Sequence, residues 1–223
     1  MNPSRVDSFR VLFQPNKADD HLPTTNTKMD KKIMSQERLE LYFETRQEWR
    51  EWLLRNHDVE HGVYLIFYKV SSDMPSMRWE EAVQEALCFG WIDSTVKRLD
   101  DERRRQLFTR RKSKSTWSKL NKDYIVQLLQ AGLMHESGLA KIEEAKQNGS
   151  WTILDDVENL AIPEALQEAF NENPKAFANY QSFAKSYRKS YLYWLKQAKR
   201  EATRNKRIAE IIRLCEANQK TRM

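Results

Sequence analysis

The feature that most constrains this chain is a continuous apolar and aromatic run, GVYLIFYKV, at positions 62 to 70. Its length is that of a β-strand, and it lacks the alternation of apolar and polar residues expected when one face of a strand is wet. The run therefore predicts a central strand that protein covers on both faces. Helices must supply much of that cover, and the segments on either side of the run have helical spacing.

Helix signals stand on both sides of this run. Thr45 and Glu48 match a capping box, in which the hydroxyl and the carboxylate each accept a hydrogen bond from a free backbone amide. They predict a helix that begins at Thr45 and ends near Asn56. A second helix is predicted over residues 79–89, because its apolar residues recur at three and four positions, and Gly90 suits the left-handed stop after it.

A hairpin and two further helices are predicted next. The segments WIDSTVKRL and RRQLFTR, joined by an acidic turn at residues 100–102, indicate a β-hairpin whose outward positions are mostly basic. Ser115 is expected to cap a helix that ends at Gly132, and another helix is expected over residues 137–148. Ahead of the first helix, LELYF indicates a short strand.

Together these elements predict an α+β fold, in which a small, largely antiparallel sheet packs with helices and a helical carboxy-terminal region follows. We expect residues 1–34 to form a disordered amino-terminal extension, residues 35–152 the α+β domain, and residues 153–223 the helical region. Met29 or Met34 is an alternative start of the chain. A hydrophobic content of 40% is enough for a real core.

The two cysteines, Cys88 and Cys215, both lie in patterned apolar segments. This placement favours buried free thiols over a disulfide framework, and so a reducing compartment. Residues 1–20 lack the hydrophobic core of a secretory signal, and no window has the apolar length that a membrane span needs. We therefore expect a cytoplasmic protein without membrane insertion.

Positive charge is concentrated in two segments. The net charge of the chain is +6, but residues 97–114 carry +6 and residues 185–223 carry +9. Such segregation favours an anionic ligand, an acidic protein partner or nucleic acid. The alternative is that both segments are solvated and that their charge offsets acidic helices nearby.

Asp93 is the most informative residue of the predicted hairpin, because a carboxylate among large hydrophobic residues is costly unless it is paired. Arg110, Arg111 or the amides at the start of the helix at Ser115 are expected to satisfy it. In that role Asp93 is a structural latch and needs no ligand.

The same residues also suit an anion-binding groove. Hydroxyl side chains at a helix start, directly after several cations, form a cradle for phosphate or carboxylate, and two tryptophans are candidates for its walls. Both interpretations stay open. The candidate ligand-binding residues are Trp91, Asp93, Ser94, Arg110, Arg111, Ser115, Trp117, Ser118 and Asn121.

Familiar catalytic patterns are missing from the sequence. No glycine-rich phosphate loop, nucleophile elbow or CxxC pair occurs. Cys88 falls near the carboxyl end of a predicted helix, where the dipole disfavours a thiolate. His57 and His61 have metal-like spacing without a third ligand in view. We therefore expect no metal and no cofactor, and we name no catalytic residue.

Four blocks of the sequence, in order, resemble one known family. They are CFGWIDS at residue 88, RRKSKSTWSKLN at residue 110, AGLM with SGLAKIEEAKQNGSW from residue 131, and SYRKSYLYWLKQAKREATRNKRIAEI from residue 186. They resemble the YdeI/OmpD-associated, or bacteriocin-protection, family over nearly everything after residue 35. The resemblance implies an association with resistance to bacteriocins or antimicrobial peptides, without a defined reaction. It also implies a periplasmic association, from which this sequence departs because it lacks an export signal.

Three functional hypotheses follow from the sequence. The first is a cytoplasmic binding or stress-protection module that acts through the anion-binding groove. The second is a nucleic-acid-binding protein that uses the basic hairpin and the carboxy-terminal helices, where tyrosines and lysines interleave. The third is an enzyme in which Asp93 is the general base. The missing catalytic patterns favour the first.

Overall fold

A computed structural model of the chain describes residues 38–221. The extension predicted over residues 1–34 therefore lies outside the described residues. Within the described part, the strands are β1 (Glu40–Tyr42), β2 (Gly62–Tyr68), β3 (Trp91–Arg98) and β4 (Arg103–Arg110). The helices are α1 (Arg46–Asn56), α2 (Trp79–Cys88), α3 (Lys119–Gln130), α4 (Glu136–Gln147), α5 (Asp155–Glu158), α6 (Glu164–Glu172), α7 (Pro174–Ser182), α8 (Lys185–Lys196) and α9 (Glu201–Glu216).

The four strands form one sheet in the order β1-β2-β4-β3. Only the β1–β2 pair is parallel within the described residues, so the prediction of a largely antiparallel sheet is confirmed. The run that we predicted as a central strand is β2, which lies between β1 and β4. Its consecutive residues Leu65, Ile66 and Phe67 are all buried, as expected for a strand covered on both faces.

The capping box of α1 forms as predicted. The Thr45 hydroxyl accepts a hydrogen bond from the Glu48 amide at 3.3 Å, and the Glu48 carboxylate accepts one from the Thr45 amide at 3.2 Å. This cap fixes the start of a helix whose tryptophans enter the core. The rings of Trp49 and Trp52 stack at 5.2 Å, and Trp49 meets Phe108 of β4 edge-on at 5.8 Å. Burial of each such ring stabilises the fold by about 1.5–3 kcal/mol.

The turn from α2 into β3 depends on Gly90, whose φ of 72° lies in the left-handed region. Its amide hydrogen-bonds to the Leu87 carbonyl, and its carbonyl accepts from the Arg111 amide just after β4. The predicted glycine stop is therefore confirmed. It delivers the chain directly into Trp91, the first residue of β3.

The predicted cap of α3 was wrong. The helix begins at Lys119 rather than at Ser115, and the Ser118 hydroxyl accepts from the Asn121 amide at 3.2 Å, as an N-cap does. Ser115 instead closes a turn, because its amide donates to the carbonyl of Lys112 at 3.0 Å.

The buried face of α3 is narrow. Ile125 and Leu128 face the core, whereas Leu120 and Leu129 are 44% and 48% exposed.

The described chain divides into two compact units. The first holds residues 38–115 and 123–147, and the second holds residues 116–122 and 148–221. In the second unit, α6 to α9 pack their apolar faces together, which confirms a helical carboxy-terminal region. Its α7 begins at Pro174, because the fixed φ of proline suits the first turn of a helix. Across residues 38–221, every helix falls short of the length and apolarity that a membrane span requires.

Candidate functional site

A hollow of about 880 Å³ lies in the first unit, where the end of β2, the start of α2 and the β3–β4 hairpin meet. We call it the hairpin pocket. Its volume is within the range of about 300–1,000 Å³ that is usual for small-molecule sites. The described residues that line it are Phe67, Tyr68, Lys69, Val70, Met77, Arg78, Trp79, Glu80, Val96, Arg98, Asp100, Arg103, Arg104 and Gln106.

Part of the charge around the hairpin pocket is neutralised internally at the hairpin turn. Asp100 accepts from Nε of Arg103 at 2.7 Å and from the backbone amides of the turn. These hydrogen bonds lower the pKa of Asp100, with the Arg103 guanidinium as the main cause. Arg98 in turn pairs with Asp101. Asp100 and its partners therefore define the shape of the hairpin end and add little net charge to the pocket.

The remaining cations of the pocket lining are not neutralised. Lys69, Arg78 and Arg104 are exposed and form no ion pair with any residue in the described part of the chain, while the lining adds one further carboxylate, Glu80. The guanidinium of Arg104 lies over the ring of Phe67, 5.6 Å from its centroid. The pocket thus combines an aromatic surface with a positive rim, which suits an anion that also carries an apolar body.

Asp93 lies directly behind the pocket and links two of its lining residues. Its Oδ2 accepts from the indole Nε1 of Trp79 at 3.1 Å and from the amide Nε2 of Gln106 at 2.5 Å. We call these three residues the Asp93 cluster. The buried Arg111 adds a positive field: burial lowers the pKa of Arg111 to about 10, and the charge of Asp93 opposes that shift.

A β-bulge places Asp93 on the pocket side of β3. Asp93 pairs with Phe108 and Val96 pairs with Gln106, so three steps along β3 match two steps along β4. In a regular strand, residues three positions apart, such as Asp93 and Val96, would point to opposite faces of the sheet. The bulge therefore lets both side chains reach the same side, the side of Gln106.

Arg110, one of the partners that we expected for Asp93, binds other groups instead. Its Nε donates to the Glu60 carbonyl at 2.9 Å, and its Nη2 donates to Nδ1 of His61 at 2.7 Å. Arg110 ends β4, and Gln106 is the pocket residue nearest to it on this strand, so about 13 Å of strand separates Arg110 from the hairpin pocket. Arg110 anchors the loop before β2.

The two tryptophans that we expected as walls of a groove are inside the protein. Trp91 is 0% exposed and donates through its indole nitrogen to the His57 carbonyl at 3.1 Å. Trp117 is 2% exposed, and its ring lies 5.1 Å from that of Trp151. Neither ring offers a face to a ligand, which corrects this expectation. Trp79 is the tryptophan that lines the hairpin pocket.

The serines and the asparagine of the predicted groove belong to different parts of the fold. Ser94 is exposed on the bulge, where its Oγ donates to the Leu107 carbonyl at 3.4 Å. Ser115 belongs to the first unit, whereas Ser118 and Asn121 belong to the second. The groove that joins them to Asp93 therefore stays a prediction.

We expected a bound anion at the start of α3, but a carboxylate of the protein itself lies there. The carboxylate of Glu158 accepts from the Lys119 amide at 3.3 Å through Oε1 and pairs with Lys189 at 2.5 Å through Oε2. A carboxylate at a helix amino terminus is stabilised by the free amides and by the helix dipole. An internal side chain thus occupies this position.

The basic carboxy-terminal helices are partly neutralised in the same way. Lys189 pairs with Glu158, and Lys196 pairs with Asp156 at 3.0 Å, so the acidic α5 offsets two lysines of α8. Tyr191 is buried, and its hydroxyl donates to the Gln219 carbonyl at 2.7 Å. These contacts indicate that the aromatic face of α8 packs in the core and that its lysines lie at the solvated edge. They do not favour α8 as a surface on which nucleic-acid bases stack.

Cys88 is a buried thiol in an unreactive setting. Burial and the neighbouring Glu85 carboxylate raise the pKa of Cys88 to about 11, although Arg50 opposes the shift. Glu85 is itself buried and accepts from Arg50 at 2.7 Å and from Nε of Arg46 at 2.9 Å. The surroundings of Cys88 thus disfavour the thiolate, as we expected from its place in the helix.

The histidines with metal-like spacing point to separate partners. Nδ1 of His57 donates to the Leu53 carbonyl at 2.9 Å, while Nδ1 of His61 accepts from Arg110. Over residues 38–221, no three side chains of His, Cys, Asp or Glu come together as a metal ion requires.

The residues that sequence reasoning missed are those on the β2 and α2 side of the pocket, namely Phe67, Met77, Arg78 and Trp79. One available signal was the alternation of RRRQLF, which puts Arg104 and Gln106 on the same face of β4. Another was the arginine–tryptophan pair at the start of α2, where the large ring of Trp79 is only partly buried.

Comparison with known families gives two matches. Residues 41–141 match a domain of unknown function (DUF8412). Residues 159–218 match the family described as bacteriocin-protection, YdeI or OmpD-associated. No curated protein and no solved structure matches the chain. The first match contains the hairpin pocket, and the second contains α6 to α9.

Proposed function

We propose that this chain, whose residues 159–218 match the bacteriocin-protection, YdeI or OmpD-associated family, is a cytoplasmic binding module that takes up a small anion with an apolar body. The site is the hairpin pocket. The observation that carries the proposal is the combination of a hollow of about 880 Å³, an aromatic lining, and a rim on which Lys69, Arg78 and Arg104 are not neutralised. Apolar area supplies affinity in such a site, and the cations select the charge.

Binding is favoured over turnover by the way in which Asp93 is held. Its Oδ2 accepts from two donors, which fix the carboxylate as a hydrogen-bond acceptor inside the fold. The carboxylate thereby orients Trp79 and Gln106 in the wall of the pocket. The Asp93 cluster supports a structural role for this carboxylate behind the pocket. The protective role in the family's description is, for this chain, part of the proposal.

The state of the cysteines supports the cytoplasmic part of the proposal. Cys88 and Cys215 are free and buried. Burial raises the pKa of Cys215 to about 12. Free thiols are ordinary in a reducing compartment and uncommon in an oxidising one.

The test is a fluorescence titration with anilinonaphthalene sulfonate (ANS), which is both anionic and aromatic. We expect saturable binding that weakens as salt is added, because exposed charges are screened. Arg104→Gln and Lys69→Gln should each weaken binding about tenfold, since about 1.4 kcal/mol is a reasonable loss for one charge contact near the surface.

The matched control is Lys112→Gln, which removes one positive charge from an exposed position of the same unit outside the pocket. It should leave the affinity for ANS unchanged. If the Lys69 and Lys112 variants weaken binding equally, the dye responds to overall charge, and the pocket is not the site.

A further inference from the structure

Trp79 has a place that differs from that of the core tryptophans. It is the first residue of α2, it is only partly buried, and it lines the hairpin pocket. Trp49 and Trp91, by contrast, are 0% exposed. A large ring at the edge of a hollow leaves apolar surface in contact with water, which is unfavourable, but it offers a flat surface on which another ring can stack.

The orientation of this ring is fixed by a hydrogen bond to a residue on another element. The indole Nε1 of Trp79 donates to Oδ2 of Asp93 at 3.1 Å, and Gln106 holds the same oxygen from β4 at 2.5 Å. A partly exposed tryptophan that was free to change rotamer would lose entropy when a ligand ordered it. The Asp93 cluster orders the ring in advance.

A second observation shows that this arrangement carries an energetic cost. Gln106 is 3% exposed, and because its amide nitrogen faces Asp93, its Oε1 is buried without a hydrogen-bond partner among the described residues. Buried polar atoms are rarely left unsatisfied, and the exceptions call for a reason. An apolar residue at this position would avoid the cost but would leave Asp93 with one donor fewer.

The surroundings of the ring indicate what it would stack against. Arg78 precedes Trp79 in the chain, and Arg104 faces the same pocket above Phe67. Arginine matches phosphate oxygens with its fork of donors, and a phosphate monoester carries a charge of about −1.5 to −2, which suits more than one cation. Any of the nucleic-acid bases can stack on an aromatic side chain, because each base has a flat π-face.

We infer that the hairpin pocket takes a nucleoside monophosphate, whose base stacks on Trp79 and whose phosphate is held by Arg78 and Arg104, with Asp93 as the residue that positions the ring. This inference rests on the proposed function and adds to it the chemical class of the ligand. Asp93 acts through Trp79 and does not touch the ligand.

The experiment is calorimetric titration of the full chain with adenosine 5′-monophosphate, ribose 5-phosphate and adenosine. We expect the nucleotide to bind at least tenfold more tightly than either fragment, because each fragment lacks one of the two contacts. Trp79→Leu should weaken nucleotide binding about tenfold and leave ribose 5-phosphate binding unchanged. Asp93→Ala should reduce the preference for the nucleotide to the same extent, and Asp93→Asn, which keeps an acceptor oxygen, should restore most of it.

The outcomes separate this inference from the proposed function. If ribose 5-phosphate binds as tightly as the nucleotide, or if Trp79→Leu has no effect, the stacking inference is overturned and anion binding stands. If neither phosphate compound nor ANS binds, the proposed function itself fails. Should Asp93→Ala prove unfolded by circular dichroism, the nucleotide preference of Trp79→Leu still decides the matter.

Discussion

The close approach of α4 to the end of α2 depends on Gly138. A Cβ added to this glycine would lie 2.2 Å from the carbonyl oxygen of Cys88 and 2.7 Å from its carbonyl carbon, whereas ordinary contact begins at 3.4 Å. Both obstacles are backbone atoms, so no change of rotamer relieves them. We predict that Gly138→Ala forces the two helices apart by about 1 Å and destabilises the fold.

The size of the effect follows from two opposing contributions. Gly138 has no positive φ, so alanine should favour the helix by about 1 kcal/mol over glycine. Overpacking typically costs 1–3 kcal/mol, and a clash with backbone belongs at the upper end of that range or above it. Separation of the helices also weakens the hydrogen bond from the His135 amide to the Cys88 carbonyl. We expect a net loss of about 2 kcal/mol.

The assay is urea unfolding followed by tryptophan fluorescence, with Ala140→Gly as the matched control. Ala140 is exposed on the same helix, and its change to glycine removes a methyl group without any packing effect, so it should cost about 1 kcal/mol. If Gly138→Ala is as stable as the unaltered protein or more stable, while the control behaves as expected, the close approach does not constrain this position.

Three further predictions concern buried polar groups. Glu85→Ala should lower the free energy of unfolding by about 3 kcal/mol in urea, because it leaves the Arg50 charge without its carboxylate; a loss below 1 kcal/mol would contradict this. Because burial raises the pKa of Cys88 from 9.0 to about 11, the folded state keeps this proton longer than the unfolded state, so stability should fall as pH rises above 9. Cys88→Ala should flatten that slope by about 1.4 kcal/mol per pH unit up to pH ~11, and an unchanged slope would refute it. The buried hydroxyl of Tyr180 has no partner among the described residues, so Tyr180→Phe should be neutral or stabilising, whereas Tyr191→Phe should cost about 1 kcal/mol in the same assay.

The elements that were predictable from the sequence are those specified by neighbours in the chain. The capping box at Thr45 and the stop at Gly90 depend on residues within four positions, and both form as predicted. The central strand was predictable because its continuous run of apolar residues indicates burial on both faces.

The candidate site depends on contacts between distant residues, which a local pattern does not contain. The side chains that donate to Asp93 come from the start of α2 and from the middle of β4, whereas Arg111, one of the predicted partners, acts on it through its charge. Glu158 reaches the start of α3 from 39 residues away. Local charge patterns indicated that Asp93 needed hydrogen-bond donors and that the start of α3 needed an anion, but they did not indicate which side chains would supply them.

The bulge between Asp93 and Val96 has a consequence for how this region changes in evolution. Insertions in the loop at residues 71–77 or in the turn at residues 99–102 do not change which side chains of β3 face the pocket. Loss of one residue at position 94 or 95 would instead remove the bulge, because two steps along β3 would then match two steps along β4, and both ends of the strand would keep their face. Relatives that share the pocket should therefore vary in the length of these connections, and between the positions of Asp93 and Val96 they should have either two residues with a bulge or one residue without it.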